Sequence, residues 1–444
     1  TVPPSSERSG LKSQWIQLCE LVKFHTLSLL KETSFWAIVI CGIIILLINS
    51  VSLGTTYGVD SYPATHFIIA ELQEMSMYFF IIILLFYSGE LIWKERNNKI
   101  YVLNDATTIS SIINLTSKLI ALINIYVVIM ISLIVTGVLF QAVSGYYKFE
   151  LGVYFFGFFV EILPFLILYT IIAFFFQIIS KNKFVGIIFT LIFFILNILT
   201  EAFGYNHSLY KYGGKTLGVY SDMNGYGHLL KPYLWTKMYW LLFGILLLIV
   251  SALIINRGTE SSLCKRIKAF KNQLTKPIVY LGTSVLVLFI LVGSYIFYNT
   301  NVLNEYWTRD QQENFRVNYE KTLKPLEYLP QPKIVDVNLK VELYPRTRSY
   351  EVKGEYILKN TTNTLIDEIH IQKLIASHVT LKDVTFEGDV EVDDEYAKFD
   401  YIIYKLSKPL EVNATVKMSF TQTYIPKGFK EGRPDTRIVH NGTF

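Results

Sequence analysis

The stretch Ser88-Gly89-Glu90-Leu91-Ile92-Trp93-Lys94-Glu95-Arg96-Asn97-Asn98-Lys99 sets Glu90, Lys94, Glu95, Arg96 and Lys99 directly behind an apolar run. Side chains of both signs at the end of a hydrophobic helix pair with charges on another chain. Alternatively, they stop the helix and anchor it at phosphate headgroups. A second candidate is Glu161, inside an apolar run and three residues before Pro164. A carboxylate at that depth is costly, so it either serves a function or faces a polar cavity. Pro164 removes a helical hydrogen bond and breaks the span there, unless the first part of the run is a re-entrant piece that leaves Glu161 near an interface. Gly213-Gly214-Lys215-Thr216 resembles the end of a phosphate loop, but Leu209 stands where its first glycine belongs, so no nucleotide-binding domain is expected. His207, Asp222 and His228 lack the spacing of metal ligands.

These residues are carried by seven long apolar runs, 35–53, 75–93, 119–140, 151–179, 184–203, 238–255 and 278–298. Each reaches or approaches the roughly 20 residues needed to cross a bilayer. With the N-terminus in the cytoplasm, the inner segments hold 16 Lys and Arg residues and the outer loops 5, out of 41 in the chain; the other 20 follow Tyr298. That asymmetry places the part after the seventh run outside the cytoplasm. The positive charge then belongs to the inner membrane face and calls for no nucleic acid. Cys19, Cys41 and Cys264 all precede the exported part, which is therefore no disulfide scaffold. Before the first run, Trp15, Leu18, Cys19, Val22 and Leu29 recur at helical spacing. They predict an amphipathic helix that lies in the inner interface or packs on the protein's own cytoplasmic surface. The loop 201–237 is rich in Tyr and Gly, the composition of an interfacial aromatic belt.

After Tyr298 a polar stalk, 299–333, leads to alternating sequence. Val335, Val337, Leu339, Val341 and Leu343 alternate with Asp336, Asn338, Lys340 and Glu342, the period of a strand with one wet face. Further strands are predicted at 350–359, 365–372, 379–386, 398–406 and 412–424. The expected fold is an α+β membrane protein, a bundle of about seven transmembrane helices followed by an extracytoplasmic antiparallel β-sandwich.

The Gly-Glu-x-x-Trp-x-Glu-Arg stretch at 89–96 and the loop behind it resemble the first cytoplasmic loop of type-2 ABC exporter permeases. The order of interfacial helix, first span, long outer loop, second span and charged loop is similar too, over about 14–256. The resemblance implies that Glu90, Lys94, Glu95 and Arg96 couple the spans to a separate ATPase subunit. It also implies a second permease half or a homodimer. Residues 334–444 resemble the N-terminal β domain of aminopeptidase N-like zinc exopeptidases, through 337–344, Gly354-Glu355-Tyr356-Ile357-Leu358-Lys359-Asn360-Thr361-Thr362 and 366–371. The whole chain looks like a bacterial fusion of the two. It departs from the peptidases where their chemistry lies. None of His25, His66, His207, His228, His370, His378 and His440 is followed by Glu, so H-E-x-x-H is missing, and so is G-x-M-E-N.

The expected organisation is an interfacial helix at 1–34, a six-helix permease-like domain at 35–256, a basic loop at 257–277, a seventh span at 278–298, a stalk at 299–333 and a β domain at 334–444. The expected function is an exporter permease in a bacterial inner membrane, joined to a non-catalytic β domain that meets peptides outside. The chain is expected to be a fragment of a longer transporter–peptidase, with no cofactor of its own and zinc only in an absent catalytic domain. Two alternatives stand beside this: an anchored aminopeptidase whose spans only tether it, and a non-catalytic extracytoplasmic binding protein.

Overall fold

A computed structural model describes residues 10–49, 55–56, 59–60, 62–107, 109–214, 217–218, 220–255, 263–373, 378–431, 438–439 and 441–443. The end of the first predicted run (50–53), Lys215 and Thr216, the start of the basic loop (257–262) and His440 lie outside these residues. The chain divides into two compact units. One comprises Thr1–Ala202, Ser208–Leu217 and Tyr233–Gly293; the other comprises Phe203–His207, Gly218–Pro232 and Ser294–Phe444.

The first unit is helical. Its elements begin with α1 (Leu11–Leu30), α2 (Thr33–Asn49), a two-residue ladder of β1 (Thr55–Thr56) with β2 (Val59–Asp60), α3 (Thr65–Asn97), α4 (Tyr101–Asp105) and α5 (Ser111–Val143). There follow α6 (Leu151–Phe155), a π-helical turn Phe156–Ile162, α7 (Leu163–Ile179), α8 (Lys183–Leu199), α9 (Gly227–Ile254) from Tyr233 onward, α10 (Leu263–Gln273) and α11 (Lys276–Phe297) as far as Gly293. Among the described residues each of the seven apolar runs is helical over most of its length; 200–203 of the run 184–203 form a turn. Among the described residues five helices are long and apolar enough to cross a membrane: Thr65–Asn97, Ser111–Val143, Leu151–Ile179, Leu229–Ile254 and Lys276–Val302. A sixth is added if α1 and α2, bent by 63°, count as one; Lys183–Leu199 is apolar but shorter. α1 turns His25 and Leu29 inward and leaves Trp15 and Phe24 exposed. Leu115, Leu122, Ile125 and Tyr126 of α5 and Leu166, Leu168 and Phe174 of α7 are buried in the bundle.

In the second unit a π-helical turn, Tyr298–Val302, precedes α12 (Arg309–Leu323). Thr308 caps α12 by accepting from Gln311 N, and Gln311 Oε1 accepts from Thr308 N in return. Within the segment 299–333, residues Arg309–Leu323 are thus a capped helix. Two antiparallel sheets follow: β3 (Lys333–Tyr344), β4 (Ser349–Lys359), β9 (Thr415–Tyr424) and β6 (Val379–Phe386) in that order, and β5 (Ile366–Gln372), β8 (Tyr401–Leu410) and β7 (Val390–Asp393). A two-residue ladder pairs β10 (Ile438–Val439) with β11 (Gly442–Thr443). The two larger sheets share one core, with Leu358, Val416, Met418 and Phe420 from the first meeting Ile366, Ile369, Tyr404 and Leu410 from the second. They form the expected antiparallel sandwich.

β8 and β7 depart from the sequence reading. The strand expected at 398–406 begins at Tyr401, because residues 397–399 form a 3₁₀ turn ended by Asp400 with φ 55°. β7 went unseen because four residues carry too little alternation.

Candidate functional site

At the C-terminal end of α3 the charged stretch is locked into the bundle residue by residue. Glu90 Oε2 accepts from Lys183 Nζ of α8 at 2.6 Å, and the Lys183 ammonium lies 4.0 Å from the centre of the Phe86 ring. Lys94 Nζ donates to Glu32 Oε1 at 2.5 Å and to Ser28 Oγ at 3.1 Å. Glu95 pairs at 2.7 Å with Lys118 of α5, whose side chain is only 3% exposed. The Arg96 guanidinium stacks 5.2 Å from the centre of the Tyr101 ring. Trp93 Nε1 donates to Gln177 Oε1 at 2.9 Å, and Gln177 Nε2 donates to Lys183 O at 3.2 Å.

The glycine of the motif has a physical role in this lock. A Cβ on Gly89 would stand 2.9 Å from Lys183 Cγ and 3.0 Å from Gln177 Nε2, and Gly186 yields room for the same Gln177 amide. Gly89, Glu90, Trp93 and Glu95 therefore work as one device that clamps α3 to α5, α7 and α8. Sequence reasoning found the α3 side of the device. It missed Lys118, Gln177, Lys183 and Gly186, which nothing in their own neighbourhoods marks.

Next to the clamp, α4 projects a small apolar surface: Ile100, Val102 and Leu103 are 46%, 58% and 72% exposed. Behind α4 opens a cavity of about 660 Å³, with Trp93, Arg96, Tyr101, Lys118, Lys181 and Arg266 in its wall. Arg266 NH1 is held by Ile178 O at 2.9 Å and Ile254 O at 3.4 Å. Burial and the neighbouring Arg96 charge draw the Arg266 guanidinium below its ordinary pKa.

Glu161 lies apart from this end, on the π-helical turn before Pro164. Its Oε1 accepts from Leu217 N at 3.1 Å and its Oε2 from Gln73 Nε2 at 3.3 Å. The widened helix frees backbone carbonyls, and side chains claim them: Gln73 Nε2 donates to Gly157 O at 2.8 Å and Tyr233 OH to Val160 O at 2.5 Å. Val160 is the residue whose helical donor Pro164 lacks, so the proline was a legible sign of this break. Lys237 Nζ donates to Gly213 O at 2.6 Å. Tyr212 N and O bond to the Asn197 amide at 2.8 and 3.1 Å. The Tyr- and Gly-rich loop is thus tied to the helical unit at Tyr212, Gly213 and Leu217, and Glu161 is one of its fasteners.

Among the described residues no three His, Cys, Asp or Glu side chains gather as a metal site. His207 bonds Thr300 Oγ1 at 3.0 Å, His370 bonds Tyr401 OH at 2.7 Å and Glu368 Oε1 at 3.0 Å, and His378 bonds Asn304 Oδ1 at 2.9 Å. These residues do not fit a zinc centre. No protein-family model, no curated protein and no solved structure matches the chain.

Proposed function

We propose that this chain is the permease component of a bacterial ABC exporter, joined to a non-catalytic β domain of the zinc-aminopeptidase type. In this reading the N-terminus and the α3–α5 connection face the cytoplasm of an inner-membrane protein, and the β unit lies outside. One observation carries it: α4, a five-residue helix between two membrane-length helices, and Ile100 just before it bear the exposed side chains of Ile100, Val102 and Leu103 beside an ion-paired clamp. A short apolar knob on a stiff base is suited to seat in a groove of a soluble ATPase subunit. Glu90, Lys94 and Glu95 then act behind that contact. They pass its movement to the α1–α2 junction, α5 and α8 through their pairs with Glu32, Lys118 and Lys183. A second half or second copy completes the transporter, and peptide hydrolysis belongs to a catalytic domain that the described residues do not supply.

The test is coexpression with candidate ABC ATPase subunits, followed by purification and ATP hydrolysis in lipid. A stable complex is expected, and Leu103→Asp should abolish both association and stimulated hydrolysis. No association of the unaltered chain, or full association of the Leu103→Asp variant, would overturn the reading.

A second reading, capture of extended peptides, draws on β3. This 12-residue strand forms one edge of its sheet and is exposed along its whole length. Such an edge accepts an added strand through its backbone. Peptide binding to the full chain that is lost on Val341→Pro would favour it.

A further inference from the structure

The cavity behind α4 is built for negative charge. Among the described residues four cationic side chains, Arg96, Lys118, Lys181 and Arg266, reach its wall against two carboxylates, Glu95 and Asp105, a formal excess of two positive charges. Glu95 is already committed to Lys118 at 2.7 Å. Lys181 is exposed and has no ion pair among the described residues. Arg266 is held by two neutral backbone carbonyls, and its Nε is buried without a partner. A guanidinium fixed in this way keeps its charge largely uncompensated, and it stands close enough to Arg96 for the two charges to repel. An anion between them relieves both costs. The planar, multi-donor guanidinium favours tetrahedral oxyanions in particular. Trp93 and Tyr101 add aromatic surface to the wall, and the volume lies within the range of small-molecule pockets, roughly 300–1,000 Å³.

We propose that this cavity is a binding site for a phosphate-bearing ligand, held by Arg266, Arg96 and Lys181. The phosphate is the headgroup of an anionic lipid or belongs to a soluble phosphate ester. The cavity's place at the ends of membrane-length helices brings headgroups within reach, while its wall would take either source. This site does not depend on the ATPase reading, and occupancy would stiffen the seating of α4 whatever α4 contacts.

The experiment uses the full chain in phosphatidylcholine nanodiscs, titrated calorimetrically with dihexanoyl phosphatidic acid and, separately, with inorganic pyrophosphate. Saturable binding of at least one is expected, weakened about tenfold in Lys181→Gln by the loss of one charge-assisted contact, and further in Arg266→Gln. Binding of the lipid alone assigns the site to a headgroup, binding of pyrophosphate alone assigns it to a soluble ester, and binding of both supports the shared chemistry. Lys181→Gln decides, because its exposed side chain holds no structural bond. Unchanged affinity in that variant, or no saturable binding of either probe, would overturn the proposal.

Discussion

Two polar clusters hold segments together in this protein, and they use opposite chemistry. At the end of α3 the fasteners are ions: Glu95 with Lys118, Glu90 with Lys183, Lys94 with Glu32. Around the π-helical turn Tyr298–Val302 they are neutral. Asn304 Nδ2 donates to Asn299 O at 2.8 Å, Lys427 O at 2.9 Å and Phe429 O at 3.2 Å, Asn299 Nδ2 donates to Tyr295 O at 2.8 Å, and Thr300 Oγ1 donates to Ile296 O at 2.9 Å. Asn299, Thr300 and Asn304 are all buried, whereas most partners in the ionic cluster keep some contact with solvent. An amide can satisfy backbone carbonyls where an ammonium ion would be desolvated at high cost. The ionic cluster is therefore tunable by salt and by neighbouring charge, and the neutral one is a fixed joint.

The contrast breaks first, and hardest, at Lys118. Lys118→Met leaves the Glu95 carboxylate without its cation in a largely enclosed place and should cost about 3 kcal/mol. The double variant with Glu95→Gln should recover most of the loss in thermal unfolding, and an unchanged midpoint in the single variant would remove the clamp from the account. Asn304→Ala comes next, at about 2 kcal/mol, because carbonyls of residues 299, 427 and 429 lose a common donor. That loss should be the same in low and high salt. A strong salt dependence would show that the joint is not neutral in effect. Lys94→Ala should cost only about 0.5 kcal/mol, since the pair with Glu32 is 36% and 21% exposed, and the difference should vanish in 1 M salt.

What the sequence disclosed follows the same divide between local and distant causes. The apolar runs and the alternation from Val335 to Leu343 are local patterns, and each falls mostly on a helix or strand. The charged residues after Gly89 were visible because they interrupt hydrophobicity at once. Their partners were not. Lys183 stands 93 residues from Glu90, Gln177 stands 84 from Trp93, and Gln73 stands 88 from Glu161, so only the packed bundle brings them together. The alternation in β3 predicts one wet face, yet the strand is exposed along its whole length, Val337, Leu339 and Val341 included. The reason is topological: the second sheet has only three strands, and its core residues meet β4 and β9. No local pattern carries that count of strands. The cavity behind α4 was hidden for the same reason, being assembled from residues near 95, 105, 118, 180 and 266.

The smallest effect sharpens the comparison from the neutral side, at His378, a titratable group hydrogen-bonded to that joint. Asn304 spends its Nδ2 on carbonyls, so its Oδ1 must accept, and His378 Nε2 is the donor 2.9 Å away. A neutral imidazole of that tautomer meets the need. Partial burial, then the charges of Lys427 and Lys430, pull the His378 pKa below its ordinary value of 6.5. The folded protein thus prefers the neutral ring more than the unfolded chain does. Its contribution to stability is complete above the unfolded pKa and is lost as pH falls through the lowered folded one. Unfolding of the β unit followed from pH 7.5 to 5 should therefore show a modest destabilisation on the acid side. His378→Gln keeps a donor but cannot titrate, so the difference between the two proteins should narrow as the pH falls. A difference that does not change with pH would mean that His378 holds Asn304 equally well in either charge state, and the joint would then be indifferent to the charge on that ring.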